Sequence, residues 1–540
     1  MKELITPTRS MGYPGIFLDF LSGAESARHF YLANNPGDVA AKLDTIDYDR
    51  ISITRILQRQ NEAFGASDKA LAAIDRLADP RAVVVATGQQ CVLFGGPLLI
   101  LLKAVALAKA AVWLEKELDR PVVPIFWIAA DDHDFAEINS TWFVTKAGEL
   151  ARHMYSADSG GVPASEIIMS DAEQLAELHT ALKASLGDTE FTAELYDILG
   201  SSYTVGKSFV DAFGSYMAAI TRELGIPLFS PSDTEVKRLS AGFFDKLLSN
   251  QNQLHEIISA TNRDIVQQGY HIQAEKSDDS MHLFMHSPSR VAIHRNGEGC
   301  VCGDRKFSLS QLSSMVREQS SQFSTDVITR PMLQSHLFPV VSQIGGPSEI
   351  AYLAQINPLF RVFGLATPYY IARPSATLLE RRPAKQMHDY GIAFDELTGD
   401  IETVINRIMA KSFPKDVEEH MKHMSSGVNA AFHADLESIT SFDPALADFA
   451  KQSYGKIDFT MKTFQDKVFS AHKRKQKETR ERIYRLGHLL FPNRSLQERV
   501  VNSNYFLSRY GIGLVTLLYD QLSIHETAHQ IIRIGDEGER

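Results

Sequence analysis

The feature that most constrains this chain is a pair of short apolar runs separated by one long helical segment. Arg81–Ala86 and Pro121–Ile128 consist almost entirely of Val, Ile, Ala and aromatic residues, which is typical of strands buried on both faces. Between them a helix is predicted from Pro97 to about Glu117, because proline is well tolerated in the first turn of a helix. Strand, helix and strand in this order form a βαβ unit with parallel pairing and a right-handed crossover.

The same pattern recurs further along the chain, where three more apolar runs are predicted to be strands: 225–230, 337–342 and 367–372. Five strands with intervening helices predict an α/β fold whose core, residues 1–380, is a doubly wound parallel sheet. The segments at about 140–200 and 265–330 interrupt this pattern. We interpret both as insertions near the ligand-binding face of the core.

From residue 381 onward the sequence is typical of long amphipathic helices. Apolar residues recur at spacings of three and four, and this heptad seam is interrupted by Pro414 and Pro444. The seam comprises Phe394, Leu397, Ile401, Val404, Ile408, Val417, Met421, Met424, Val428, Ile457, Met461, Phe464, Val468 and Ala471. We predict an antiparallel coiled-coil domain over 381–540. Its more apolar segment, Leu496–Leu522, is expected to pack back on the arm or on another subunit.

Composition narrows the class of protein. The chain has 540 residues, a formal net charge of -11 and only three cysteines. We expect a cytoplasmic protein without a membrane or nucleic-acid partner, because no apolar run reaches the roughly 20 residues of a membrane span and an acidic chain disfavours a phosphate backbone. Cys91, Cys300 and Cys302 are interpreted as packed residues, and the basic stretch His472–Arg482 as a solvated helix face.

The first candidate site follows the first predicted strand. Gln89 and Gln90 come directly after it, at the edge where ligands bind in open α/β sheets. Gly95 and Gly96 then open the next helix, whose free N–H groups attract anions, and Lys103 lies on the same face. These residues predict a pocket for a carboxylate or phosphate. The alternative is a tight turn with a capped core helix and a lysine that reaches the surface.

The second candidate site is the acidic run Asp131, Asp132, His133 and Asp134 after the second strand. Such a cluster cannot be buried without partners, so we expect it at the same sheet edge. His133, oriented by a neighbouring carboxylate, suits acid–base chemistry, and the same residue types suit a divalent metal ion. The alternative is a loop in which Asp132 or Asp134 caps the next helix.

The third candidate site repeats the arrangement of the first. A strand leads into Gly346 and a helix that carries Glu349 and Tyr352 three residues apart, so that both can face one pocket. Arg373 and Ser375 follow the fifth strand and would reach the same edge. For Glu349, an acid favoured by the helix dipole is an equally good interpretation.

Together these motifs resemble the bacillithiol biosynthesis cysteine-adding enzymes, the BshC family. The resemblance rests on TGQQ with GGPL and Lys103, FWIA before DHDF, GGP before EIAY, RPS before TLLE, and the segment Leu496–Gly511 that begins LQER. It implies a Rossmann-like core with connecting-peptide insertions and a coiled-coil arm that forms a homodimer. It implies a pocket made of Gln89, Gln90, Gly95, Gly96, Asp132, His133, Asp134, Gly346, Glu349 and Arg373. Asp131 and Ser348 depart from the family pattern, where Glu and Gly are usual.

The resemblance also implies a reaction, in which cysteine is joined to the amine of glucosaminyl malate by an amide bond. Amide formation from a free carboxylate is uphill in water, so we expect an activated acyl group. ATP or another nucleotide would suit, although neither GxGxxG nor GxxxxGK[ST] is present, and no metal is expected. We hypothesise that His133 is the base and that Lys103, Arg373 or the helix starts bind the malate carboxylates.

Three other functions remain open at this point: a synthetase or nucleotidylyltransferase acting on another carboxylic acid, a metal-dependent hydrolase centred on Asp131–Asp134, and a non-catalytic coiled-coil scaffold.

Overall fold

A computed structural model describes residues 3–286 and 288–535, with the side chain of Glu437 excepted. The chain divides into two compact units. One contains the chain up to Arg381 together with the part from Ser495 onward, and the other contains Arg382–Arg494.

The first unit is built on a parallel sheet of five strands, which confirms the predicted fold class. The strands are Val83–Gln89 (β1), Val122–Ile128 (β2), Leu228–Phe229 (β3), Val340–Gly345 (β4) and Tyr369–Ala372 (β5). Their order in the sheet is β5-β4-β1-β2-β3, and each is parallel to its neighbours. The chain therefore reverses its direction across the sheet between β1 and β4, and this switch point is where ligands bind in such folds.

Helices surround this sheet. Leu98–Leu118 (α1) follows β1 and is buried along most of its length, and Pro347–Ile356 (α2) follows β4. The other α-helices of the first unit are Gly15–Ser22, Glu25–Arg28, Pro36–Leu43, Arg50–Phe64, Asp68–Asp75, Phe135–Ile138, Ala172–Leu186, Thr192–Ser202, Phe209–Ile220, Thr234–Leu239, Ala241–Ser249, Gln251–Gln267, Leu309–Glu318, Arg330–Leu337, Phe360–Phe363, Gln497–Val500, Asn504–Tyr510 and Leu514–Gln521. Within the described residues, no helix has the length and apolarity needed to cross a membrane.

The two predicted insertions carry antiparallel sheets. The first contains a hairpin of Ser140–Val144 and Leu150–Met154. The second contains five strands, Ser280–His286, Arg290–Asn296, Gly299–Cys302, Arg305–Ser308 and Phe323–Thr325. Both reach the loop after β2: the Ala164 N–H donates to the Asp132 carbonyl at 2.7 Å, and Arg290 reaches His133 from the second sheet.

The segment after residue 495 lies with the core, which corrects the expectation that Leu496–Leu522 packs on the arm or on another subunit. Its Val501 carbonyl accepts the Leu98 N–H at 2.8 Å, at the start of α1. His529–Ile534 then pairs with Ala376–Glu380 and with Glu3–Ile5 in a third sheet. This sheet joins segments far apart in the chain, so local sequence patterns could not show it, and the predicted helical domain 381–540 is longer than the compact unit.

The second unit is helical, with α-helices Arg381–Tyr390, Phe394–Leu397, Ile401–Lys411, Lys415–Phe442, Leu446–Lys475 and Lys477–Leu490. The two longest helices are joined at the predicted break near Pro444 and contact each other, for instance through Tyr454, whose hydroxyl donates to Asn429 Oδ1 at 2.9 Å. Part of the basic stretch is paired rather than only solvated, because Lys473 and Arg480 both lie 3.3 Å from Glu402.

Candidate functional site

Two adjoining cavities lie at the carboxyl ends of the core strands. They have volumes of about 570 and 260 Å³, which we call the larger and the smaller cavity. They share a wall made of Trp127, Ala129, Asp132, Val327 and Arg330. The larger cavity is further lined by Gly88, Gln89, Gln90, Leu99, Lys103, Glu137, Gly346, Pro347, Ser348, Glu349, Tyr352, Arg373 and Arg499, and the smaller one by Asp131, His133, Pro231, Lys276, Phe284, Arg290, Thr325 and Asp326.

Lys103 joins both sides of the switch point beneath the larger cavity. Its ammonium donates to the Gly88 carbonyl at 2.7 Å, to Gln89 Oε1 at 2.9 Å and to Glu349 Oε2 at 2.5 Å. Burial alone would raise the pKa of the Glu349 carboxyl, but Lys103, the Gly346 N–H and Arg330 keep that pKa below its ordinary value. All three ammonium protons of Lys103 are therefore used inside the protein.

Gln90 connects the first strand end to the second. Its amide donates to Asp132 Oδ2 at 2.8 Å and to Glu137 Oε2 at 2.5 Å. The other oxygen of Asp132 accepts the backbone N–H of His133 at 2.8 Å. Asp132 is thus held in place while about a third of its side chain, 35%, remains exposed in the shared wall.

His133 lies in the smaller cavity, but its ring is not oriented by a carboxylate as we had expected. Its Nδ1 accepts a hydrogen bond from Arg290 Nη1 at 2.9 Å, whereas Asp132 Oδ1 is 3.7 Å away. Asp134 is exposed and lines neither cavity. Burial and the Arg290 charge lower the pKa of the His133 imidazole, against the opposing effect of Asp132 and Asp134.

Asp131 forms a buried ion pair with Lys237 at 2.6 Å, in which the lysine side chain is only 3% exposed. The positive charge next to the Asp131 carboxylate is thus provided by Lys237. Among the described residues, no three His, Cys, Asp or Glu side chains are arranged to hold a metal ion.

Arg373 lines the larger cavity but is committed to a buried partner. It donates to Glu498 Oε1 at 2.6 Å, and neither side chain is more than 3% exposed. Ser375 does not line either cavity. It donates to the same Glu498 oxygen at 3.0 Å and accepts from Tyr13 at 2.9 Å, so its contacts secure the segment after β5.

Gly95 and Gly96 line neither cavity either, because the first glycine turn is packed against the rest of the core. The Gly95 N–H donates to the Tyr203 hydroxyl at 2.8 Å, and a Cβ on Gly95 would lie 2.0 Å from Tyr216. The first amide of α1 is taken by the Val501 carbonyl. The amides of Gly95 and Leu98 are therefore occupied by protein acceptors, and neither glycine of the predicted anion site lies in a cavity.

The remaining predicted pocket residues do meet at one edge. Gln89, Gln90, Gly346, Glu349 and Tyr352 all line the larger cavity. Arg330 completes this group: it donates to the Tyr352 hydroxyl at 2.5 Å and lies across the end of β1, where a Cβ on Gly88 would be 3.2 Å from its Nη1.

Comparisons with known proteins agree with this architecture. Residues 3–374 match the family description "Bacillithiol biosynthesis BshC, N-terminal Rossmann-like domain", and residues 376–534 match "Bacillithiol biosynthesis BshC, C-terminal coiled-coil domain". The chain belongs to the BshC family. The resemblance inferred from the motifs is thereby confirmed.

Individual members of the BshC family are similar to this chain over nearly its whole length. A protein of Koribacter versatilis named "Putative cysteine ligase BshC" is 30% identical, covering 96% of this chain and 97% of its own. Proteins with the same name from Chlorobaculum tepidum and Geobacillus thermodenitrificans are 28% and 27% identical, covering 99% and 96% of this chain and 99% and 97% of their own.

Several residues of the site escaped the sequence analysis. Arg290, Arg330 and Lys237 come from segments without a recognisable motif, and only folding brings them to the strand ends. Glu498 did carry a signal, since it lies in the LQER motif that supported the family resemblance.

Proposed function

We propose that this protein is a ligase that joins the carboxyl group of L-cysteine to the amine of glucosaminyl malate, the last step of bacillithiol synthesis. The observation that carries the proposal is the pair of adjoining cavities with one shared wall, since a ligase must bring two reactants together. The name of the relatives, "Putative cysteine ligase BshC", supports the choice of acyl donor.

The reaction requires an activated cysteine, in which the carboxyl carbon carries a leaving group such as a nucleoside phosphate supplied by a nucleoside triphosphate. The amine lone pair attacks that carbon, the C–N bond forms, and the bond to the leaving group breaks with its electron pair. The acceptor arrives as an ammonium and gives up one proton before the attack and one after it. The carboxylates of Asp132 and Glu137 lie where they can orient the ammonium.

The carboxylates of glucosaminyl malate need cations, and the structure narrows the choice. Lys103 and Arg373 are both neutralised by buried partners, Glu349 and Glu498. Arg330 and Arg499 also line the larger cavity, and we propose that they bind the malate group instead. This assigns the amino sugar to the larger cavity and cysteine to the smaller one.

The test is a ligation assay with purified protein, L-cysteine, glucosaminyl malate and ATP, followed by mass spectrometry. The proposal expects a product with the mass of the two reactants minus one water, and a raised KM for glucosaminyl malate in Arg330→Gln. Cells without the protein should lose bacillithiol and accumulate glucosaminyl malate. An unchanged thiol pool would contradict the proposal.

A synthetase acting on another carboxylic acid is one alternative. Exchange of labelled pyrophosphate into ATP, measured with each amino acid in turn, distinguishes the two functions. Exchange stimulated by an acid other than cysteine would favour the alternative.

We also propose that the protein forms a homodimer through its helical unit and acts in the cytoplasm. The two long helices expose apolar side chains that a monomer would leave in water: Phe442, Phe449, Phe459 and Phe464 are 89%, 68%, 71% and 48% exposed. Three free cysteines fit a reducing compartment. Sedimentation should show a dimer that Phe449→Glu with Phe459→Glu converts to a monomer, whereas an exposed lysine on the same helix, changed in Lys456→Glu, should leave the dimer intact.

A further inference from the structure

The hydrogen bond between Arg290 and His133 determines which ring nitrogen carries the proton. A guanidinium group has five N–H donors and no acceptor, so the nitrogen that it contacts must present a lone pair. That nitrogen is Nδ1 of His133, at 2.9 Å from Arg290 Nη1. A neutral imidazole with a bare Nδ1 carries its proton on Nε2.

Arg290 cannot easily turn away from this contact, because two of its other donors are also engaged. Its Nε donates to Ser324 Oγ at 3.0 Å and its Nη2 to the Thr325 carbonyl at 2.8 Å. Its guanidinium carbon lies 3.7 Å from the centre of the Phe284 ring, and the side chain is only 7% exposed. The insertion sheet therefore holds the guanidinium from three sides.

The charges around the ring favour its neutral form. Arg290 and Lys276 oppose a positive charge on His133, while Asp132 and Asp134 favour one. Burial acts in the same direction as Arg290 and Lys276, so the pKa of His133 is lowered. His286, which pairs with Arg290 in the insertion sheet, is itself kept neutral, since burial lowers its pKa to about 4.

We propose that Arg290 is a positioning residue that fixes His133 as the Nε2–H tautomer, so that His133 donates a hydrogen bond into the smaller cavity and is not the general base. None of the described residues offers Nε2 a hydrogen-bond partner, which leaves this donor for a ligand. The acceptor is an oxygen that gains negative charge during acyl transfer, either the acyl oxygen or the oxygen of the leaving group. This choice of acceptor rests on the proposed function, whereas the tautomer of His133 does not.

The tautomer can be measured directly by ¹⁵N NMR of protein labelled at histidine. The His133 signals are identified by their loss in His133→Gln. We expect a bare Nδ1 and a protonated Nε2 at neutral pH, and in Arg290→Met a mixture of tautomers with a raised pKa. A protonated Nδ1 in the unaltered protein would overturn the proposal, whether or not the protein ligates cysteine.

The ligation rates of two His133 variants distinguish a hydrogen-bond donor from a general base. Glutamine can donate from a position close to that of Nε2 but cannot take up a proton at neutral pH. We expect His133→Ala to slow ligation by about 10²–10³-fold, and His133→Gln to be at least about tenfold faster than His133→Ala. Equal losses in the two variants, both shown to be folded, would refute the donor role. If Arg290→Met does not fold, the tautomer of the unaltered protein and this pair of rates still decide.

Discussion

Replacing Lys103 tests whether the ion pair at the switch point is structural. Lys103→Met keeps the length of the side chain and its apolar stem but removes the ammonium that joins Gly88, Gln89 and Glu349. Glu349 then remains charged in a site where its side chain is only 20% exposed. The substitution should therefore lower the unfolding free energy of the first unit and also disturb the wall of the larger cavity.

The size of the loss follows from the partners that remain. Breaking a buried ion pair by removing one partner costs about 3–5 kcal/mol, because the other charge is left uncompensated. We expect the lower end of that range, since Glu349 keeps the Gly346 N–H at 2.8 Å and has Arg330 nearby. Combining Lys103→Met with Glu349→Gln also removes the uncompensated Glu349 charge. The double variant should therefore lose about 2 kcal/mol less unfolding free energy than the two single variants lose in sum.

Urea unfolding followed by tryptophan fluorescence measures this loss. All three tryptophans, Trp113, Trp127 and Trp142, lie in the first unit, so the signal reports on that unit alone. Lys116→Met is the matched control, because Lys116 lies on the same helix and is exposed. A loss in Lys103→Met no greater than that of the control would refute a structural role, and Lys103 would then be available for substrate.

Three further outcomes are expected from single changes. Gly95→Ala should prevent folding into soluble protein, because its Cβ would lie 2.0 Å from Tyr216 and its φ is +77°, whereas Gly242→Ala, with open space around it, should raise the unfolding free energy by about 0.5–1 kcal/mol in the same urea assay. The unaltered protein should lose stability as the pH falls from 6.5 to 4, because the unfolded state takes up a proton that His286, with its pKa near 4, does not. His286→Gln should therefore lose about 3 kcal/mol less than the unaltered protein over this range, as measured by urea unfolding at both pH values. Cys91→Ala should retain its ligation rate in the mass-spectrometric assay, because burial raises the pKa of that thiol to about 12 and no thiolate is present at neutral pH.

The core was predictable because its strands are buried on both faces and therefore read as apolar runs. Even so, β1 extends to Gln89, beyond the predicted end at Ala86. The polar Thr87 can lie within the strand because its hydroxyl donates a hydrogen bond to the Ile344 carbonyl on β4. The third sheet was not predictable. Ala376–Glu380 pairs with His529–Ile534, and no local periodicity relates segments that lie so far apart in the chain.

For the site, the sequence indicated the residue types and the sheet edge but not the partners. His133 was expected beside a carboxylate because Asp132 and Asp134 are its neighbours in sequence. Adjacent residues seldom direct their side chains at each other, and the ring instead meets Arg290 from the insertion sheet. Similarly, the sequence suggested that Arg373 could bind a ligand, because its ion-pair partner Glu498 lies 125 residues away in the chain.

These pairings have a common physical cause. A lysine or arginine at the floor of a cavity leaves bulk water when the chain folds, and it is tolerated there only with a counter-charge or several acceptors. Lys103, Lys237 and Arg373 each meet that requirement with a carboxylate from another segment. Lys103 and Arg373, the two cations that suggested ligand binding in the sequence, thus join the end of β1 to the start of α2 and the segment after β5 to the C-terminal segment. They hold the walls of the cavities in place, which leaves Arg330 and Arg499 as the cations that we propose for binding the substrate.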